Sequence, residues 1–131
     1  MNQVSPTELE LQILKVLWED APLTARQIRE TLEQRGRVLA YTSVITTVQR
    51  MVDKGQLSQL APTSGKAFRF QPLVSGSQVT GGMLGEFVDR VFDGSAEAVM
   101  LSLFDAKDLD EDTVKRLRRV FNKKLREMNH D

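Results

Sequence analysis

Thr42, Thr46 and Gln49 fall on one face of a helix drawn through Tyr41 to Gly55, YTSVITTVQRMVDKG. Short hydroxyl and amide side chains at that spacing can read base edges: Gln pairs bidentately with adenine and Thr meets a thymine methyl. Ile45 and Arg50 flank them, and Arg grips guanine or phosphate. On the opposite side Val44, Val48, Met51 and Val52 follow i, i+4, i+7, i+8, an apolar stripe that would hold the helix while the polar side stays free. Exposed helix faces are ordinarily filled with Glu and Lys. A face of Thr, Thr and Gln therefore points to base contact, against the plainer reading of a solvated face. Arg50 carries two readings of equal weight, an intrachain partner for Asp53 or a phosphate clamp.

The same chemistry suggests phosphate ligands elsewhere. Lys66 and Arg69 stand beside a turn, and Thr24 is first a helix cap and second a phosphate ligand through its N–H at a helix start. Tyr41, Ser43 and Lys54, at the two ends of the reading helix, complete the phosphate candidates. Catalysis finds no footing. There is no cysteine, the one histidine (His130) lies in the tail, no glycine-rich phosphate loop follows a strand, and Glu8, Glu10, Glu19 and Asp20 read as helix-start and surface residues. No catalytic residue, metal ligand or cofactor is expected.

At 131 residues the chain should bury roughly two thirds of its unfolded surface, enough for one domain or two small cooperating ones. Without cysteine, disulfides and thiol-based metal sites are excluded. No apolar run approaches the roughly 20 residues needed to span a bilayer, and Met1 to Pro6 lacks a basic n-region, so the expectation is a soluble cytoplasmic protein without a membrane partner. The net charge is zero, which argues at first against nucleic acid. Its distribution argues the other way. Between Ala21 and Pro72 stand Arg26, Arg29, Arg35, Arg37, Arg50, Lys54, Lys66 and Arg69 against only Glu30, Glu33 and Asp53, so the middle of the chain carries a basic field.

The elements that would position these residues are well marked. Ser5-Pro6-Thr7-Glu8 reads as a capping box with Pro at the first helical position, and the helix behind it is apolar on more than one side through Leu9, Leu11, Ile13, Leu14, Val16, Leu17 and Trp18. Thr24-Ala25-Arg26-Gln27 is a second box, opening a short helix with Ile28 and Leu32 inward and Arg35-Gly36-Arg37 at its end. The third helix begins near Ala40 to Thr42 and stops at Gly55. Leu57 to Ala61 and Ala67 to Gln71, separated by Pro62-Thr63-Ser64-Gly65-Lys66, then read as a β-hairpin with Phe68 and Phe70 on alternate positions. Three helices and a hairpin in this order predict a winged helix-turn-helix domain over residues 1–73.

Residues 74–131 are expected to be a helical dimerisation domain. A weak Gly- and Ser-rich stretch up to Gly85, with a frayed helix start at Val79 to Gly82, precedes a stripe of Leu84, Phe87, Val88 and Val91. A short apolar helix (Ala96 to Phe104) contributes Val99 and Leu103, and a last helix capped by Asp110, with Leu109 and Val114 as a hydrophobic staple, carries Val114, Leu117, Phe121 and Leu125. Three short helices with so much apolar surface call for a partner, and a second copy of the chain is the simplest. The seven basic residues of Lys115 to Arg126 suggest a second DNA surface, but they lie off the apolar stripe and have acidic neighbours at Asp105 to Asp112, which favours ordinary surface pairing.

Taken together, Glu10-Leu11, Leu14 and Leu17-Trp18 in the first helix, Thr24, Ile28 and Leu32 in the second, Ala40-Tyr41-Thr42-Ser43-Val44, Thr47-Val48, Arg50-Met51-Val52 and Lys54-Gly55 in the third, and Phe68-Arg69-Phe70-Gln71-Pro72 in the hairpin resemble the penicillinase-repressor (BlaI/MecI/CopY) family of bacterial winged-helix transcriptional repressors. The resemblance implies a mainly α fold with a small β-wing and a homodimer that binds a dyad-symmetric double-stranded DNA operator. It also implies a sensor protease or another inducer as partner. Three departures qualify it. Ser102-Leu103 occupies the place of the family's Asn-Phe cleavage pair, the cysteine motif of the copper-responsive branch is absent, and Pro62 to Ser64 replace charged wing residues. The competing reading from another class is a winged-helix protein-interaction module without sequence-specific DNA binding.

Overall fold

A computed structural model describes residues 6–129. In chain order the elements are α1 (Glu8–Glu19), β1 (Leu23–Thr24), α2 (Ala25–Gln34), α3 (Tyr41–Asp53), β2 (Leu57–Leu60), β3 (Arg69–Pro72), α4 (Gly76–Phe92), α5 (Ala96–Ala106) and α6 (Glu111–Met128). They form two compact units, one ending at Glu86 and the other beginning at Phe87. The architecture is mainly helical with a small antiparallel sheet, as the element order predicts.

Each helix of the first unit starts where a side chain can satisfy its orphan N–H groups, α3 excepted. For α1 the cap is Thr7: its Oγ1 accepts from the Glu10 N–H at 3.2 Å while its own N–H donates to Glu10 Oε1 at 3.0 Å. This moves the box from the expected position. Pro6 precedes the cap instead of opening the helix, and Ser5 lies outside the described residues, as does His130. The buried Glu10 can reach back only from the third helical position, which makes Thr7 the cap. At α2 the expected box is present, with Thr24 and Gln27 bonded reciprocally. α3 ends at Gly55, whose φ of +81° is left-handed backbone that glycine adopts without a Cβ clash.

The core joins Ile13, Leu14, Val16 and Leu17 of α1 to Ile28 and Leu32 of α2, Val44, Val48 and Met51 of α3, and Leu57 and Phe70 of the sheet. That broad buried arc makes α1 the central helix. The sheet has the order β1-β3-β2, with Leu57 opposite Pro72, Leu60 opposite Arg69 and Leu23 opposite Phe70. Two features differ from expectation. β1 adds a third strand of only two residues, too short to show any periodicity, and the returning strand starts at Arg69, leaving Ala67 and Phe68 in the connection.

The start of α4 is also firmer than its composition suggests. Ser75 and Gln78 form a third box, with the Ser75 N–H on Gln78 Oε1 at 2.8 Å and the Gln78 N–H on Ser75 Oγ at 3.1 Å. Val79 is buried in the core, and Trp18 Nε1 donates to the Val74 carbonyl at 2.9 Å. These contacts carry the first unit past Leu73, although glycines inside a helix cost about 1 kcal/mol each relative to alanine.

In the second unit Gly94 (φ +81°) closes α4 by donating to the Val88 carbonyl, Ser95 caps α5 and Asp110 Oδ1 accepts from the Thr113 N–H at 2.8 Å to cap α6. No described residue of α5 or α6 is buried. Leu84, Phe87, Val91, Leu103, Val114, Phe121 and Leu125 are exposed, while Val88, Val99 and Leu117 are half-buried. Among the described residues no helix is long and apolar enough to cross a membrane.

Candidate nucleic-acid interface

α3 divides its faces as its sequence predicts, with one refinement. Val44, Val48 and Met51 are fully buried, and Thr47 joins them with its hydroxyl bonded to the Ser43 carbonyl at 2.8 Å, while Val52 is only half-buried. A buried threonine is tolerated because the preceding turn takes its donor. Thr42, Thr46, Gln49 and Arg50 are exposed and Ile45 is half-buried beside them. No ion pair joins Arg50 to Asp53 among the described residues, so of its two readings the intrachain one finds no support. Its charge instead acts on Glu10.

Beside this face runs an open groove of about 480 Å³. Tyr41, Ile45 and Gln49 line it from α3, Thr24, Ala25 and Arg26 from the start of α2, and Gln59, Lys66, Ala67, Phe68 and Phe70 from the hairpin. Two cations and no acid face it, over a floor that is largely apolar. The geometry thus brings together Thr24, Tyr41, Ile45, Gln49 and Lys66, which are far apart in sequence, and leaves Thr42, Ser43, Thr46 and Arg50 on the exposed helix surface outside the groove. Arg26, Gln59 and Phe68 are additions. Arg26 stands in the sequence within a capping box and the basic excess, and Phe68 in the hairpin alternation and the family-like run, while nothing local marks Gln59.

Three phosphate candidates are already engaged. The Thr24 N–H is held by Gln27 Oε1 at 2.9 Å, so it is not a free donor. A helix start leaves further N–H groups beyond the reach of such a box, here those of Ala25 and Arg26, and both residues line the groove. Arg69 donates to the Ala61 carbonyl at 3.1 Å and braces the hairpin. Lys54 Nζ lies 2.8 and 3.1 Å from the two Glu10 carboxylate oxygens and ties the end of α3 to the start of α1. Burial alone would push the Glu10 pKa up. The Lys54 and Thr7 hydrogen bonds, with the charges of Lys54 and Arg50, outweigh that and hold it below its usual 4.5.

Comparison with known proteins gives the family and the fold. A MecI methicillin resistance regulatory protein of Mammaliicoccus sciuri is 24% identical over 115 residues, covering 88% of this chain and 91% of that protein. A BlaI transcriptional regulator of Mycobacterium tuberculosis is 30% identical over 106 residues, covering 79% and 75% respectively. The fold is shared with a mutant MarR from E. coli solved in complex with operator DNA, at a TM-score of 0.51 and 17% identity over 92% of this chain and 76% of that one. The profile of the penicillinase repressor family matches residues 6–123, nearly the whole of the described structure, and the chain belongs to that family.

Proposed function

We propose that this protein is a cytoplasmic transcriptional repressor that binds a dyad-symmetric operator as a homodimer, with α3 in the major groove. The observation that carries the reading is the exposed Thr42, Thr46 and Gln49 face set beside a groove lined by Arg26 and Lys66 with no acid. The zero net charge does not oppose it, because the cations cluster where the duplex would lie and only local potential acts within a Debye length of about 8 Å. Thr42, Thr46, Gln49 and Arg50 would meet base edges. Lys66, Arg26 and the helix-start N–H groups of α2 would hold phosphates, which position the protein without reading sequence.

The second unit supports the dimer. An α6 that leaves Phe121, Leu125 and Met128 more than half exposed has apolar surface that only association can remove from water. Two copies would then present two α3 helices to two half-sites, and repression would follow from promoter occlusion.

The test is Gln49→Ala, measured by mobility shift on the selected operator and on random DNA across salt concentrations. Loss of about 1 to 3 kcal/mol on the operator with random DNA nearly unchanged is expected for a bidentate base contact. Equal loss on both would sink the base-reading role, and no shift at low salt would leave protein docking as the better account.

A further inference from the structure

Phosphates account for the cations of the groove beside α3 but not for its apolar surface. Tyr41 and Phe68, which both line it, are 48% and 49% exposed, Ile45 is half-buried and Phe70 is buried. Phe68 takes no part in the hydrophobic core and lies in the connection before β3, so neither packing nor strand pairing calls for an aromatic ring there. Contacts to a DNA backbone are made by charged and polar donors, which leaves the two rings without a role.

The groove has the character of a small-molecule site. Its volume of about 480 Å³ lies within the roughly 300 to 1,000 Å³ usual for such sites, which combine an apolar lining with a few polar groups that fix orientation. Arg26 and Lys66 are those groups here, and among the described residues neither is held in an ion pair. A lining of aromatic and aliphatic surface with two cations and no acid complements a flat ring that carries one negative charge. We propose that this groove binds a small aromatic carboxylate and that its occupation releases DNA. The carboxylate pairs with Arg26 or Lys66 in a charge-assisted hydrogen bond, and the ring packs on Phe68.

The release rests on the operator reading above, whereas the binding does not. Arg26, Gln49 and Lys66 line the groove and are also the groups assigned to phosphates and bases, so ligand and duplex compete for them. For exclusive binding the apparent operator Kd rises by one plus the ratio of ligand concentration to ligand Kd, which is about 11-fold at ten times that Kd.

Cinnamate is the probe, with neutral cinnamamide and ring-free acetate as controls. Calorimetric titration of the full chain without DNA should show saturable cinnamate binding, with both controls at least roughly tenfold weaker. Lys66→Met should weaken cinnamate roughly tenfold, the low end for a charged hydrogen bond, and Phe68→Ser by a similar factor through the lost ring contact. Melting temperatures verify that both variants are folded. On an operator selected from random duplexes, cinnamate at ten times its wild-type Kd should weaken wild-type binding about 11-fold. The same concentration should weaken Phe68→Ser, measured against its own ligand-free affinity, only about 2-fold.

Cinnamate that fails to bind, or that binds both variants as tightly as the wild type, would overturn the site while leaving operator binding intact. Cinnamamide or acetate binding as tightly as cinnamate would overturn the ligand class. Cinnamate that binds as expected without weakening the operator complex would overturn the release. A wild type that selects no operator refutes the operator reading and the release with it, while the titration without DNA still decides the site.

Discussion

Lys54→Met should destabilise the protein more than Glu10→Gln, although each breaks the same ion pair. The two partners differ in what water can do for them. The Glu10 side chain is 0% exposed, whereas that of Lys54 is 41% exposed. In Glu10→Gln the amide oxygen still accepts from the Thr7 N–H, and Lys54 turns outward into solvent; the loss is about 1 kcal/mol, one net hydrogen bond. In Lys54→Met a buried carboxylate keeps only the Thr7 N–H and the field of Arg50, so the cost rises to about 2 to 4 kcal/mol. The double variant should cost less than the sum, because no buried charge is left behind.

Acid adds a second signature. In the wild type the folded pKa of Glu10 lies below its ordinary 4.5, so the contribution is complete above that value and is lost as pH falls through the folded one. Removing Lys54 takes away the strongest lowering partner and leaves burial, which raises the pKa. The variant's folded pKa therefore lies above that of the wild type, and its deficit against the wild type narrows as pH falls from neutral through the carboxylate range. Urea unfolding of the three variants at neutral and at acidic pH reads this directly. A Glu10→Gln loss as large as that of Lys54→Met, or a deficit that ignores pH, would refute the reasoning.

Other outcomes follow from the same geometry. Lys66→Ala should weaken operator and random DNA alike and lower the salt slope by about 1, read by titration across salt concentrations. Arg26→Ala should behave the same way, and an unchanged salt slope would remove Arg26 from the interface. Thr24→Ala should cost about 1 kcal/mol of stability through the lost cap, measured by urea unfolding. A charge in the exposed stripe of α6, as in Leu125→Asp, should halve the mass measured by sedimentation and lower operator affinity, while leaving the thermal transition of the first unit in place.

Much of this architecture is legible because its signals are local. A cap needs four consecutive residues, so the Thr24 box and the Asp110 cap can be read directly, as can Gly55 and Gly94 where a helix must end in left-handed backbone. The α3 stripe repeats within a few turns, and its buried and exposed faces follow from that period. β1 is not legible, since two residues have no period and they pair with Arg69 and Phe70, far along the chain. Nor, its local Ser75–Gln78 box apart, is the root of α4: Ser75 to Gly85 looks weak by composition, and Trp18 and the core pocket that receives Val79 make it firm. Long-range packing overrides weak propensity there, as it commonly does.

The sequence by itself determined which face of α3 is exposed, because a helix period alone separates Thr42, Thr46 and Gln49 from Val44, Val48 and Met51. It also determined the family, through motifs that lie in short runs. Only the tertiary structure decided which cations remain available. Lys54, Arg69 and Lys66 look alike along the chain, yet Lys54 is paired with Glu10, Arg69 donates to the Ala61 carbonyl, and of the three Lys66 alone lines the groove. A charge announces its sign in sequence, but its partner is fixed by which distant group folding brings within about 3 Å.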